Sequence, residues 1–163
     1  MSVELFRRSK DFRVDWDEGG DAFTVRVDMR DAFHDMGVVT TFSYPELEIL
    51  SVTPRMDRTP YEVCPTALMA AQGCVGLRVQ PAISLLLSRQ MGGSEGCSHV
   101  TNLVLDACHS AVQGLLAIRR RGEEGRDDPI GPEEKVAYLE SHGLLARNSC
   151  VAYTVPAVSG PMG

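Results

Sequence analysis

GGSEGCSHVTNLVLDACHSAVQGLLAIRRR, residues 92–121, is the stretch around which the rest of the chain has to be arranged. Gly92, Gly93 and Gly96 break the backbone, Ser94 or Ser98 can cap free amides, and from Val100 apolar residues recur at helical spacing. Val100, Leu103, Val104, Ala107, Cys108, Ala111, Val112, Leu115 and Ile118 make one stripe, so a long helix is predicted with that stripe buried against a sheet. Three arginines at 119–121 suit the negative end of its dipole. At its mouth stand Cys97 and His99. Unpaired amides and the positive end of the dipole favour a thiolate there, the form that binds a metal or attacks an electrophile.

The sheet is legible upstream. In residues 11–17 alternation puts Phe12, Val14 and Trp16 on one face. In residues 22–30 it puts Phe23, Val25, Val27 and Met29 opposite Thr24, Arg26, Asp28 and Arg30. Glu18, Gly19, Gly20 and Asp21 suit the tight hairpin turn between them, which makes the pairing antiparallel. Residues 34–43 and 47–53 read as two more strands, separated by a turn at Tyr44, Pro45 and Glu46. Two further helices are expected at 66–72 and 82–90, the second behind Pro81, where a missing N–H costs nothing. Strands first and helices after predict a two-layer α+β fold: a small antiparallel meander with helices packed on one face.

Downstream, residues 122–131, GEEGRDDPIG, form a charged loop. Pro132, Glu133 and Glu134 then open a short helix closed by Gly143, and residues 150–155 can add a strand. The chain is expected to be a single domain over 1–163, with its core in 11–121 and an appended helix and strand in 132–155. Its 163 residues are enough for one sizeable core. A net charge of −6 argues against a nucleic-acid partner, which would need a basic field. No stretch approaches the roughly 18 apolar residues of a membrane span, and MSVELFRRSKDF lacks a signal peptide's apolar segment, so the expected location is the cytoplasm, off the membrane. The odd, scattered set Cys64, Cys74, Cys97, Cys108 and Cys150 is read as thiols: Cys74 and Cys108 as core, the others as packing or ligands.

Three places carry candidate chemistry, all at element ends: His34 with Asp35, Cys64, and Cys97 with His99. Sulfur, imidazole and carboxylate donors together suit zinc or iron better than magnesium or calcium. Neighbouring strand residues point to opposite faces, so His34 and Asp35 can hardly reach one ion together, and Asp35 is preferred. Residues two apart on a helix diverge by about 200°, so Cys97 and His99 meet only if Cys97 belongs to the turn before the helix. Asp35 could instead pair with an arginine such as Arg30.

Phe33-His34-Asp35-Met36, Pro60-Tyr61-Glu62-Val63-Cys64-Pro65, Val75-Gly76-Leu77, Gly96-Cys97-Ser98-His99 with Gln113, and Ser149-Cys150-Val151-Ala152-Tyr153 together resemble a bacterial family known only as a domain of unknown function. More distantly, residues 35–116 are similar in layout to NifU-like iron-sulfur assembly scaffolds. That resemblance implies a NifU/SufE-like sheet-and-helix arrangement with a metal site at its edge. Asp35, Cys64 and Cys97 match scaffold ligands in order, while Phe33 and Gly96 stand where two others would be. His99, or alternatively His34, could complete the set.

The leading expectation is a Zn- or Fe-binding accessory protein with Asp35, Cys64, Cys97 and His99 as ligands and a protein or small molecule as partner. The alternatives are a small metal- or cysteine-dependent enzyme with Cys97 and His99 as catalytic candidates, and an interaction domain without metal. No phosphate loop, dinucleotide fingerprint or hydrolase elbow names a substrate.

Overall fold

A computed structural model of the chain describes residues 1–122 and 131–154. Four strands, β1 Ser9–Trp16, β2 Ala22–Arg30, β3 Asp35–Ser43 and β4 Ile49–Arg58, form an antiparallel sheet in sequential order. The β1–β2 register runs unbroken from Ser9 opposite Arg30 to Trp16 opposite Phe23. Gly19, at φ 80°, makes the connecting turn possible, and Gly20 closes it by donating its N–H to the Asp17 carbonyl at 2.8 Å. A 3-10 helix, Cys64–Cys74, follows the sheet, then α1 Ile83–Met91, α2 Ser98–Gly122 and α3 Pro132–Ser141. The α+β architecture expected from the sequence is the observed one.

α2 lies across β1, β2 and β3 on one face of the sheet. Phe23, Val25, Val27 and Met29 from β2 and Met36, Val38 and Phe42 from β3 meet Leu103, Val104, Ala107, Ala111 and Leu115 in one core. The opposite face of the sheet carries Arg30, Asp35, Asp28 and Arg55 and is open to water. At Gly114 an added Cβ would lie 3.0 Å from both Phe23 and Val14, so the missing side chain lets α2 approach β1 and β2 closely. Among the described residues, no helix is long and apolar enough to cross a membrane.

The two edges of the sheet differ. β4 is covered at its start, where Leu47 accepts from Val79, and Ile49 both donates to Leu77 and accepts from Gly76. Further along, Gln72 donates to the Val52 carbonyl at 3.0 Å, and Pro54 has no N–H to offer. β1, the other edge, has no strand on its outer side among the described residues.

Several boundaries depart from the sequence reading. β3 begins at Asp35 and not His34, because Asp31 and His34 close a turn in which the Asp31 N–H donates to the His34 carbonyl at 2.9 Å. β4 continues to Arg58, with register shifts against β3 that blur its alternation. The helix expected at 66–72 is the longer 3-10 helix Cys64–Cys74. Near the C-terminus, the expected strand at 150–155 is instead a 3-10 turn, Val151–Tyr153, closed by Asn148 donating to the Tyr153 carbonyl; residue 155 lies outside the described residues. So does most of the charged loop, residues 123–130.

Candidate functional site

One corner of the fold gathers the start of β1, the β2–β3 turn, the end of β4 and the first turn of α2. Its centre is Asp31, whose side chain is fully buried. One carboxylate oxygen accepts from the N–H groups of Phe33 and His34, both at 2.8 Å, which is how an aspartate two or three residues ahead fixes a turn. His34 Nδ1 lies 3.0 Å from the same oxygen. Arg8, just ahead of β1, donates to the second oxygen from Nε at 2.8 Å and from the adjacent nitrogen at 2.7 Å. Arg58 ties in the end of β4 by donating to the Asp31 carbonyl at 2.6 Å. Burial opposes the charge on Asp31, yet the amides of Phe33 and His34, Arg8 and the His34 ring together hold its carboxyl far below the usual carboxylate range.

An ionised carboxylate can only accept, so the His34 ring carries a hydrogen on Nδ1, which leaves Nε2 as the atom that can offer a lone pair when the ring is singly protonated. The His34 ring faces that of His99 with centroids 4.3 Å apart. Arg8 reaches His99 as well, with a guanidinium nitrogen 3.4 Å from Nε2. Burial first, then the neighbouring His34 and the Arg8 charge, push the His99 pKa below its ordinary value, with Asp31 working the other way.

The other sequence candidates have surroundings of their own. Asp35 lies opposite Arg30 across the β2–β3 ladder, on the open face of the sheet, away from α2. Arg30 Nε holds one of its oxygens at 2.9 Å and Arg55 the other at 3.2 Å. Burial works against its charge, but Arg55 and Arg30 keep the carboxyl below its ordinary value. Cys64, half-buried, opens the 3-10 helix with its N–H donated to the Tyr61 carbonyl. Cys97 does belong to the turn before α2, and its carbonyl accepts the helix's first bond from Thr101 at 2.9 Å. Its side chain packs against the core. Among the described residues, no three His, Cys, Asp or Glu side chains come together as a ligand set. The structure thus brings His99 to His34, and not to Asp35.

Two members of the corner do not stand out in the sequence reading. Asp31 has a readable signal, an aspartate directly after a strand and three residues before a histidine. Arg8 has none, because its segment shows no periodicity.

The five thiols sort by exposure. Cys150 is exposed, Cys64 and Cys97 are half-buried, and burial pushes Cys74 up to about 11 and Cys108 up to about 12. Timed iodoacetamide labelling read by mass spectrometry should therefore modify Cys150 first, Cys64 and Cys97 more slowly, and Cys74 and Cys108 only on unfolding. If Cys97 outpaced Cys150 at neutral pH, it would have to be treated as an activated nucleophile.

No curated protein and no solved structure matches the chain. A family model described as "Protein of unknown function (DUF2889)" matches residues 10–113, a span from β1 into the middle of α2 that includes Asp31, His34, Asp35, Cys64, Cys97 and His99 but not Arg8. With that model covering more than half of its length, the chain belongs to the DUF2889 family.

Proposed function

We propose that the chain is a metal-binding accessory protein that holds a zinc or iron(II) ion on the paired imidazoles of His34 and His99. The observation that carries this reading is the contact between Asp31 and His34 Nδ1, at 3.0 Å, beside a second ring 4.3 Å away. A carboxylate on the far nitrogen of an imidazole fixes the tautomer, orients the ring and raises its basicity, which is how ligand histidines are commonly supported. The pKa of His99 is held below its ordinary value, which favours the neutral form an imidazole must have to bind a metal. Imidazole donors suit zinc and iron(II). Asp35, tied to two arginines, is left out of this set.

In such a site His34 and His99 supply nitrogen donors, and Asp31 keeps His34 in place. Arg8 has the opposite effect: its guanidinium sits on His99 Nε2, and an incoming cation has to displace it. A bound ion would supply Lewis-acid character or be passed on to a partner.

Isothermal titration of metal-free protein with zinc chloride, and with ferrous salt under anaerobic conditions, tests this. Saturable binding near one ion per chain is expected, weakening in acid as protons compete for the imidazole nitrogens. His34→Ala and His99→Ala should each weaken it by roughly 10-fold or more. Asp35→Asn and Cys64→Ala should leave it unchanged, and Arg8→Ala should tighten it. Wild-type protein that shows no saturable binding, or histidine variants that bind as it does, would remove the proposal.

A further inference from the structure

We infer that two copies of this chain pair through β1, edge to edge and antiparallel, to make one continuous sheet across a twofold axis. β1 is a full-length edge strand with every residue from Ser9 to Asp15 exposed. Its ladder to β2 is free of bulges, and it contains no proline, so two of the devices that blunt a free edge are missing, and the charge of its inward-facing Lys10 is engaged by Asp106 of α2. Phe12 and Val14, on the helix side, remain 49% and 38% exposed, although their partners Val27 and Val25 on β2 are fully buried.

The side chains select a second copy as the occupant. On the open face β1 carries Asp11, Arg13 and Asp15 in alternating sign. When two identical strands run antiparallel about an axis at Phe12, residue numbers across the seam sum to a constant, and each Asp11 comes opposite the other copy's Arg13. On the helix face the two Phe12 rings meet at the axis, and Lys10 lies opposite Val14. Ser9 faces Asp15, so this register has no like-charge pair. Centring on Arg13 would set Arg13 on Arg13 and Asp11 on Asp15. Centring on Val14 would shorten the pairing and bring Asp11 to Asp17. A symmetric seam that keeps both helix layers on one side must be centred on a residue in this way, so the register at Phe12 is the one the charges favour.

The test is the mass in solution by light scattering behind size exclusion, at about 100 µM, where a micromolar pairing is filled. Wild-type protein should run at twice the chain mass. Arg13→Asp, at a side chain 69% exposed in the isolated chain, should keep the circular dichroism spectrum and weaken the pairing roughly 10-fold or more, since it sets a second carboxylate against Asp11 of the other copy. The swap Arg13→Asp with Asp11→Arg should restore the double mass. Phe12→Lys, which sets two cations on the axis, should dissociate the pair. A monomeric wild type, an Arg13→Asp protein still at double mass, or a swapped protein that stays monomeric would each overturn the inference.

Discussion

Gly96→Ala should melt roughly 6–12 °C below the wild type, the shift expected for about 3 kcal/mol in a chain of this size. A Cβ at this position would fall inside the Met91 carbonyl oxygen and press on the Gly92 carbonyl. Neither has room to retreat. Met91 is the last residue of α1, is 1% exposed, and its carbonyl also accepts from the Thr101 hydroxyl of α2 at 3.3 Å. The end of α1 and the start of α2 are thus packed through a glycine, and a methyl group there forces one helix to shift. Because His99 is the second residue of α2, the same substitution should also weaken the zinc binding proposed above. Gly122→Ala, where a Cβ meets nothing within 4 Å, is the control and should leave the melting temperature within about 1 °C. Equal melting of the two variants would show that the α1–α2 junction is looser than its geometry says.

The second large effect is expected at Asp31. Asp31→Ala removes the acceptor for two backbone amides, an imidazole and a guanidinium, leaving buried donors without partners. A loss of about 2–3 kcal/mol follows, the exposure of a third of the Arg8 side chain keeping it below the cost of breaking a fully buried pair. Asp31→Asn, which retains one carbonyl oxygen, should lose less. The pH dependence has a definite sign. The folded pKa of Asp31 lies below its unfolded value near 3.9, so its contribution is complete above about pH 5 and is lost as pH falls toward the folded pKa. Urea unfolding at pH 7, 4 and 3 should therefore show the gap between wild type and Asp31→Ala narrowing in acid. A gap that stays constant would mean that the charge on Asp31 contributes nothing and only its shape matters.

The fold can be read from the sequence wherever one face of an element is buried and the other is wet. β2 is the clearest case, with Phe23, Val25, Val27 and Met29 all in the core between polar neighbours. α2 is equally legible, because ten of its residues are buried at helical spacing. The end of β4 is hidden by its irregular register against β3. At the C-terminus the sequence reading fails, because a short apolar run does not distinguish a strand from a 3-10 turn.

The corner is partly legible. His99 stands out because it opens a helix, whereas His34 lies in the turn before β3, where the alternation rule for strand residues does not apply. The sequence reading prefers Asp35, whereas the structure puts His34 beside His99. What decides this is that Asp31 and His34 form a turn ahead of the strand, fixed by Arg8 and Arg58 across the sheet end. Contacts that distant in sequence leave no periodic trace.

The unequal edges of the sheet also limit growth. With Leu47, Ile49 and Val52 already bonded to residues 72–79 and Pro54 lacking a donor, β4 offers no continuous row of free backbone groups. A strand joining β1 therefore meets a closed boundary on the far side. The pairing inferred through β1 would therefore end in a discrete assembly and would not propagate into a ribbon or fibril.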